Sequence, residues 1–135
     1  MRKLVIACTG LLASSVAVPE NLNGVNELLC AAAHVQICFE NEECFSAAPW
    51  ELSIPDFVVI DTKKKSVSTT KASGQNRTTP FSSVERSDGK IYLQGLEAER
   101  AFSFVIEEYT GTMTVAVARD GFSVTVFGVC TRTDG

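Results

Sequence analysis

The C-terminal part of the chain alternates between apolar and other side chains with a period of two, and no other feature of the sequence constrains the fold as strongly. The alternation runs through residues 91–94, 101–107, 112–118 and 122–127. Because a β-strand directs successive side chains to opposite faces, each segment is predicted to bury one face. Asp88-Gly89 and Asp120-Gly121 lie between segments and tolerate the positive φ of a tight hairpin. We therefore predict an antiparallel meander over residues 84–130.

Two shorter strand-like runs precede the meander. Phe57 to Ile60 is apolar, and Val67 to Thr70 is rich in β-branched residues. Residues 71–80 form a polar loop that contains Gly74 and Pro80. The whole pattern predicts an all-β fold, an antiparallel meander forming a small barrel or sandwich of about seven or eight strands.

Apolar residues in the N-terminal segment, residues 20–36, have a different spacing. They recur three or four residues apart at Val25, Leu28, Leu29, Ala32 and Val35. This spacing is typical of one face of a helix. We therefore predict a short N-terminal helix within a cysteine-rich lead-in over residues 18–45, followed by a β-domain over residues 46–135.

Residues 1–17 have the composition of an export signal. Met1-Arg2-Lys3 is basic, the run from Leu4 to Val18 is uncharged and mostly apolar, and Ser15-Val16-Ala17 fits the rule for a cleavage site. The apolar run is short for a permanent membrane span, so no integral span is expected. We predict a signal peptide and a periplasmic or secreted product, with cleavage after Ala33 as the second alternative.

Cysteine usage fits this compartment. Cleavage after Ala17 leaves four cysteines, Cys30, Cys38, Cys44 and Cys130. An even number of cysteines in a small exported domain indicates disulfides, and four of them allow three pairings. A bond from Cys130 to Cys30 or Cys38 would join the two ends of the chain. We favour a local Cys38–Cys44 bond, because the residues between the two cysteines, including Asn41, can turn back.

Charge and motifs exclude several classes of function. Without Arg2 and Lys3 the chain has 10 basic and 16 acidic side chains, which argues against a nucleic-acid or anionic-membrane binder. We find no serine-triad motif and no phosphate-binding glycine loop, so we expect neither an enzyme nor a cofactor. One metal alternative stays open, with His34, Cys38 and Cys44 as ligands.

Several short motifs resemble known families. Arg119-Asp120-Gly121 and Phe127-Gly128-Val129-Cys130 resemble the ends of small exported bacterial β-proteins of no known function. Ala72-Ser73-Gly74, the segment 88–92 and the segment 95–98 resemble pieces of the membrane-bound and periplasmic inhibitors of C-type lysozyme. Where those inhibitors have a tryptophan and a lysine, this chain has Leu93-Gln94-Gly95.

The second resemblance implies a partner-binding loop. It would make Ser73 the inhibitory serine, and Gly74, Asn76 and Arg77 lie beside it in the polar loop. The function expected first is that of an exported, non-catalytic, disulfide-stapled β-domain that binds a ligand or protein partner. The alternatives are a periplasmic inhibitor of a lysozyme-like enzyme and the metal-binding protein. Neither the partner nor the oligomeric state follows from the sequence.

We expect the exported protein to begin at Val18 and to have no free thiol. Intact-mass measurement without reductant, with and without alkylation, determines both. An intact N-terminus on protein recovered from the cytosol would contradict this prediction.

Overall fold

The computed structural model describes residues 9–10 and 21–133, and this part of the chain contains strands and two short 3-10 turns but no α-helix. The strands are β1 (Glu27–Phe39), β2 (Phe45–Ala47), β3 (Phe57–Asp61), β4 (Ser66–Thr69), β5 (Thr78–Pro80), β6 (Ser83–Ser87), β7 (Lys90–Glu97), β8 (Arg100–Glu107), β9 (Thr112–Arg119) and β10 (Phe122–Arg132). The 3-10 turns span Pro49–Leu52 and Lys71–Ser73. The leader predicted for residues 1–17 lies outside the described residues, except for residues 9–10. Within the described ranges no helix has the length and apolar character that a membrane crossing requires.

All ten strands of the described chain belong to one antiparallel sheet with the order β5-β4-β3-β1-β10-β9-β8-β7-β6, and β2 pairs with β1. The two end strands, β5 and β6, are consecutive in the chain. At the corner between them, the Phe81 N–H donates to the Lys65 carbonyl at 2.8 Å, and the Ser82 N–H donates to the Gln94 carbonyl at 2.7 Å. The sheet is therefore curled into a half-barrel, and its two end strands are joined by the chain at this corner without pairing with each other. The all-β antiparallel prediction is confirmed, with more strands than expected.

The predicted meander is confirmed as β6 to β10. Asp88 and Gly89 have φ values of 51° and 75°, and Gly121 has a φ of 73°. The predicted inward face of the meander is also correct, since the alternating apolar residues of β7 to β10 face the interior. Its members are Ile91, Leu93, Phe102, Phe104, Ile106, Met113, Val115, Val117, Phe122, Val124 and Val126.

The helix predicted for residues 20–36 is wrong over its main part, because residues 27–36 belong to β1. Along β1 the buried residues are Leu28 and Cys30, and then Val35 and Ile37. Between them the register with β10 shifts, and Ala33 has no partner residue. A bulge inserts one extra residue into a strand. Before the extra residue the buried positions of β1 are even-numbered, and after it they are odd-numbered. This change of phase places apolar residues three or four positions apart, which is also the spacing of a helix.

A glycine allows the close approach of β10 to β1 at this bulge. Gly128 pairs with Ala32, and a Cβ atom built on it would collide with the Ala31 carbonyl oxygen and lie 2.9 Å from Cε of Met113. Any side chain at this position would therefore force the two longest strands apart. The bulge and the glycine together let β1 and β10 pair over almost their whole length.

The structure pairs Cys30 with Cys130 and Cys38 with Cys44. Cys30 and Cys130 lie directly opposite each other on β1 and β10, with Cα atoms 4.0 Å apart and 100 residues apart in the chain. Both are buried. Cys38 and Cys44 close a short loop after β1, with a separation of 6 residues. The favoured pairing is confirmed, and two disulfides fit an oxidising extracellular environment.

The segment before β1 covers one end of the curled sheet. Leu22 is fully buried, and its N–H donates to the Glu108 carbonyl at 2.7 Å. The Arg86 guanidinium donates to the Val25 carbonyl, and that of Arg132 donates to the Asn21 carbonyl at 3.3 Å. These contacts lie at the end of the sheet that contains the Asp88-Gly89 turn. The opposite end, with the turns at residues 98–99 and 120–121, forms the mouth.

The long-range disulfide is expected to contribute more to stability than the local one. In the chain-entropy model, losing the Cys30–Cys130 bond costs about 4.7 kcal/mol and losing the Cys38–Cys44 bond about 2 kcal/mol. Urea unfolding of the Cys30→Ala/Cys130→Ala and Cys38→Ser/Cys44→Ser double variants measures both. If both double variants lost the same unfolding free energy, the long-range disulfide would not be the more stabilising of the two.

Candidate ligand-binding cavity

A cavity of about 430 Å³ opens at the mouth of the curled sheet. Its walls come from the inward faces of three adjacent strands, β8, β9 and β10. The residues that form this apolar wall are Phe102, Phe104, Val115, Val117, Val124 and Val126. The volume lies within the range of pockets that bind small molecules. The same alternation that forms the core in the lower part of the sheet therefore lines a cavity in the upper part.

The connection between β2 and β3 forms another wall. Leu52, Ile54 and Pro55 line the cavity from this side. The 3-10 turn that positions them is closed by the Ala48 N–H, which donates to Oε2 of Glu51 at 3.0 Å, and by the Ile54 N–H, which donates to the Pro49 carbonyl at 3.1 Å. Trp50 lies on the same turn and is 72% exposed. It is the only tryptophan of the chain and thus a built-in fluorescent reporter for this wall.

The disulfide between β1 and β10 lies at the floor of the cavity. Cys30 and Met113 both line it, and Sγ of Cys130 is 3.7 Å from Sδ of Met113. Along β9 the inward-facing residues run from Met113 at the floor to Arg119 at the mouth. Six residues of strand span about 20 Å. The lining of the cavity therefore changes from apolar near the disulfide to charged at the mouth.

Charged side chains are confined to the mouth. Arg77, Glu97, Arg100 and Arg119 line the cavity there. Nη2 and Nε of Arg77 donate to Oε1 of Glu97 at 3.0 and 3.3 Å. Burial acts to raise the pKa of Glu97, but hydrogen bonds from Arg77 and Thr79 and the charges of Arg77 and Arg100 outweigh it. The pKa of Glu97 therefore lies below its ordinary value of 4.5.

The charged residues that line the cavity at its mouth are mostly positive. Three arginines and a single carboxylate line the cavity, although the chain as a whole is acidic. Nε of Arg100 is buried and has no hydrogen-bond partner in the described part of the chain, as is also true of Nε of Arg86 and Arg132 at the covered end. A buried guanidinium nitrogen without an acceptor is costly, because the atom has lost its water. The mouth can therefore accept an anionic group.

The polar loop predicted to bind a partner is only partly connected with this cavity. Arg77 lines the mouth, whereas Ser73, Gly74 and Asn76 are exposed on the neighbouring turn and line no part of it. The Ser73 hydroxyl donates to the Thr70 carbonyl at 2.6 Å and accepts from the Gln75 N–H at 3.2 Å. These bonds make the serine a structural element of the turn.

The metal alternative is wrong for these residues. Cys38 and Cys44 are bonded to each other, so neither sulfur is a thiolate ligand. His34 is exposed on the outer face, where its ring stacks on Phe127 with centroids 6.2 Å apart. Nowhere in residues 9–10 and 21–133 do three or more metal-ligating side chains form a group that could hold an ion.

The sequence analysis missed the charged mouth, although the signal was present. Glu97 continues the inward alternation of Ile91 and Leu93, and Arg119 continues that of Val115 and Val117. Arg100 likewise precedes Phe102 by two residues. The sequence analysis assigned none of these three charges to the inner face. Extending the alternation to the hairpin turns would have placed all three on the inner face.

Comparison of the chain with protein-family models, with curated proteins and with solved structures finds no match. The functional interpretation therefore rests on the cavity and its mouth.

The ion pair at the mouth predicts an acid dependence of stability. Because the folded state lowers the pKa of Glu97, this group stabilises the fold above pH 4.5 and loses that contribution as the pH falls below it. We expect Glu97→Gln to lose less stability than the wild type between about pH 5 and pH 3. Urea midpoints measured across this range give the difference.

Glu99→Gln is the matched control, because it removes the same charge at an exposed position of the adjacent turn. It should retain the wild-type loss. If the wild type and Glu97→Gln lose stability in parallel, Glu97 does not contribute through the ion pair.

Proposed function

We propose that the chain is an exported, non-catalytic binding domain that holds a small ligand in the cavity at the mouth of its curled sheet. The cavity carries this proposal. Protein interiors are ordinarily close-packed, so an open space of about 430 Å³ with mostly apolar walls is the feature of this structure most suited to holding a ligand. A disulfide at the floor and a second one beside the mouth suit a periplasmic or secreted protein.

The arrangement of the walls also supports small-molecule binding. Six strand residues from three strands supply rigid apolar contacts, and the segment that carries Leu52 and Ile54 covers one side. Ligand sites typically combine such walls with a few polar groups that orient the ligand. An enzymatic function has no comparable support, because the titratable groups that line the mouth are three arginines and one glutamate, and the glutamate is paired with Arg77.

A second candidate function is inhibition of a lysozyme-like enzyme by the 71–80 loop. One observation favours it: residues 71–77 are all exposed, and hydrogen bonds within the loop hold its shape. A rigid projecting loop can enter an enzyme cleft. Addition of the protein to C-type lysozyme, with Ser73→Ala as the comparison, tests this function independently of the cavity.

We expect 1-decanol to bind in the cavity and to change the fluorescence of Trp50. Val117→Phe should weaken this binding at least tenfold, because Val117 lines the cavity and a larger ring fills the space that the ligand needs. Titration calorimetry and fluorescence titration measure the affinity, at decanol concentrations below its solubility limit.

Val105→Phe is the matched control. Val105 lies on the outer face of β8 and is 37% exposed, so the same substitution there leaves the cavity unchanged. It should bind decanol as the wild type does. Equal weakening in both variants, or no binding of any apolar probe by the wild type, would contradict the proposal.

A further inference from the structure

We infer that the ligand is a single-chain amphiphile with an anionic head group, held by Arg100 and Arg119 at the mouth while its apolar chain extends toward the disulfide at the floor. This inference rests on the proposed function and specifies the class of ligand. It follows from three observations: the unequal charges of the mouth, the unpartnered Nε of Arg100, and the change of polarity with depth.

The charges of the mouth are not balanced by the protein. Glu97 accepts both hydrogen bonds of Arg77, and its charge also attracts Arg100. A single carboxylate thus faces three guanidinium groups. An added anion would supply the missing negative charge and an acceptor for Nε of Arg100.

Nearby acidic residues do not cancel this excess. Glu40, Glu42 and Glu43 lie in the loop closed by Cys38 and Cys44, and the Glu40 N–H donates to the Gly121 carbonyl at 2.9 Å, close to the mouth. All three glutamates are exposed, as are Glu99 and Asp120 in the two turns at the mouth, and none of these five carboxylates lines the cavity. These carboxylates therefore act on the cavity from outside it, through solvent, whereas the three arginines line it.

The apolar lining of the cavity favours an elongated ligand. From Arg119 down β9, the inward-facing residues are Val117, Val115 and Met113, an apolar path of about 20 Å in total. A compact anion such as inorganic phosphate would leave this path unfilled. An acyl or alkyl chain fills it and gains about fourfold in affinity for each buried methylene.

The experiment compares probes of one chain length on the mature protein. Decanoate and decyl phosphate carry the anionic head group, 1-decanol is neutral, and decyltrimethylammonium is cationic. All are titrated below their aggregation limits and followed by calorimetry and by Trp50 fluorescence. We expect both anionic probes to bind at least tenfold more tightly than decanol, and the cation more weakly than decanol. A preference between decanoate and decyl phosphate separates a carboxylate ligand from a phosphate one.

Two variants determine whether the arginines cause the preference. Arg100→Gln should weaken decanoate binding about tenfold and change decanol binding less than twofold, because it removes a charged donor and keeps the apolar path. Lys64→Gln removes the same charge from an exposed turn at the covered end and should change neither. Thermal unfolding of each variant confirms that it is folded.

The outcomes are distinct. Equal affinities for decanoate, decanol and the cation would overturn the anionic head group and leave the cavity function standing. Loss of decanoate binding in Lys64→Gln as large as in Arg100→Gln would show that net charge, not the mouth, attracts the ligand, and would also overturn the inference. Absence of binding for every probe would contradict the proposed function itself.

Discussion

The disulfide between Cys30 and Cys130 is the constraint on which the rest of the structure depends. It joins the first long strand to the last one, at directly opposed positions and across 100 residues of chain. β1 pairs with β10 along one edge and with β3 along the other. It therefore joins the meander of β6 to β10 and the strands β3 to β5 into one curled sheet. The same bond lies at the floor of the cavity. The staple that defines the fold therefore also defines the depth of the proposed site.

One alternation builds both the core and the site. On β7 to β10 every second residue faces inward, and these side chains form one core with Leu22. Toward the mouth the same face ends in Glu97, Arg100 and Arg119. Glu97 and Arg100 are half-buried and Arg119 is exposed, so the inner face becomes both charged and accessible toward the mouth. Their position at the mouth gives a physical reason to assign them to ligand binding.

The sequence predicts much of this fold and less of the site. The meander, its Asp-Gly hairpins and the inward face follow from period two and turn chemistry, which are local properties. The N-terminal helix was wrong because the bulge at Ala33 imitates a helical spacing, and a bulge is determined by the partner strand. The cavity could not be predicted, because an interior filled by side chains and one that is open have the same alternation. Its charged mouth could have been predicted by extending the alternation to the turns.

The central claim is that a ligand fills the interior between the arginines and the disulfide. Cleavage of the predicted leader removes Met1 and leaves Met113, at the cavity floor, as the single methionine. A protein labelled with ¹³C at the methionine methyl therefore gives one NMR signal from the floor itself. With saturating decanoate we expect this signal to shift, and to shift less as the probe is shortened so that its end no longer reaches Met113. A signal that does not move while calorimetry shows saturation would place the ligand outside the cavity and contradict the account.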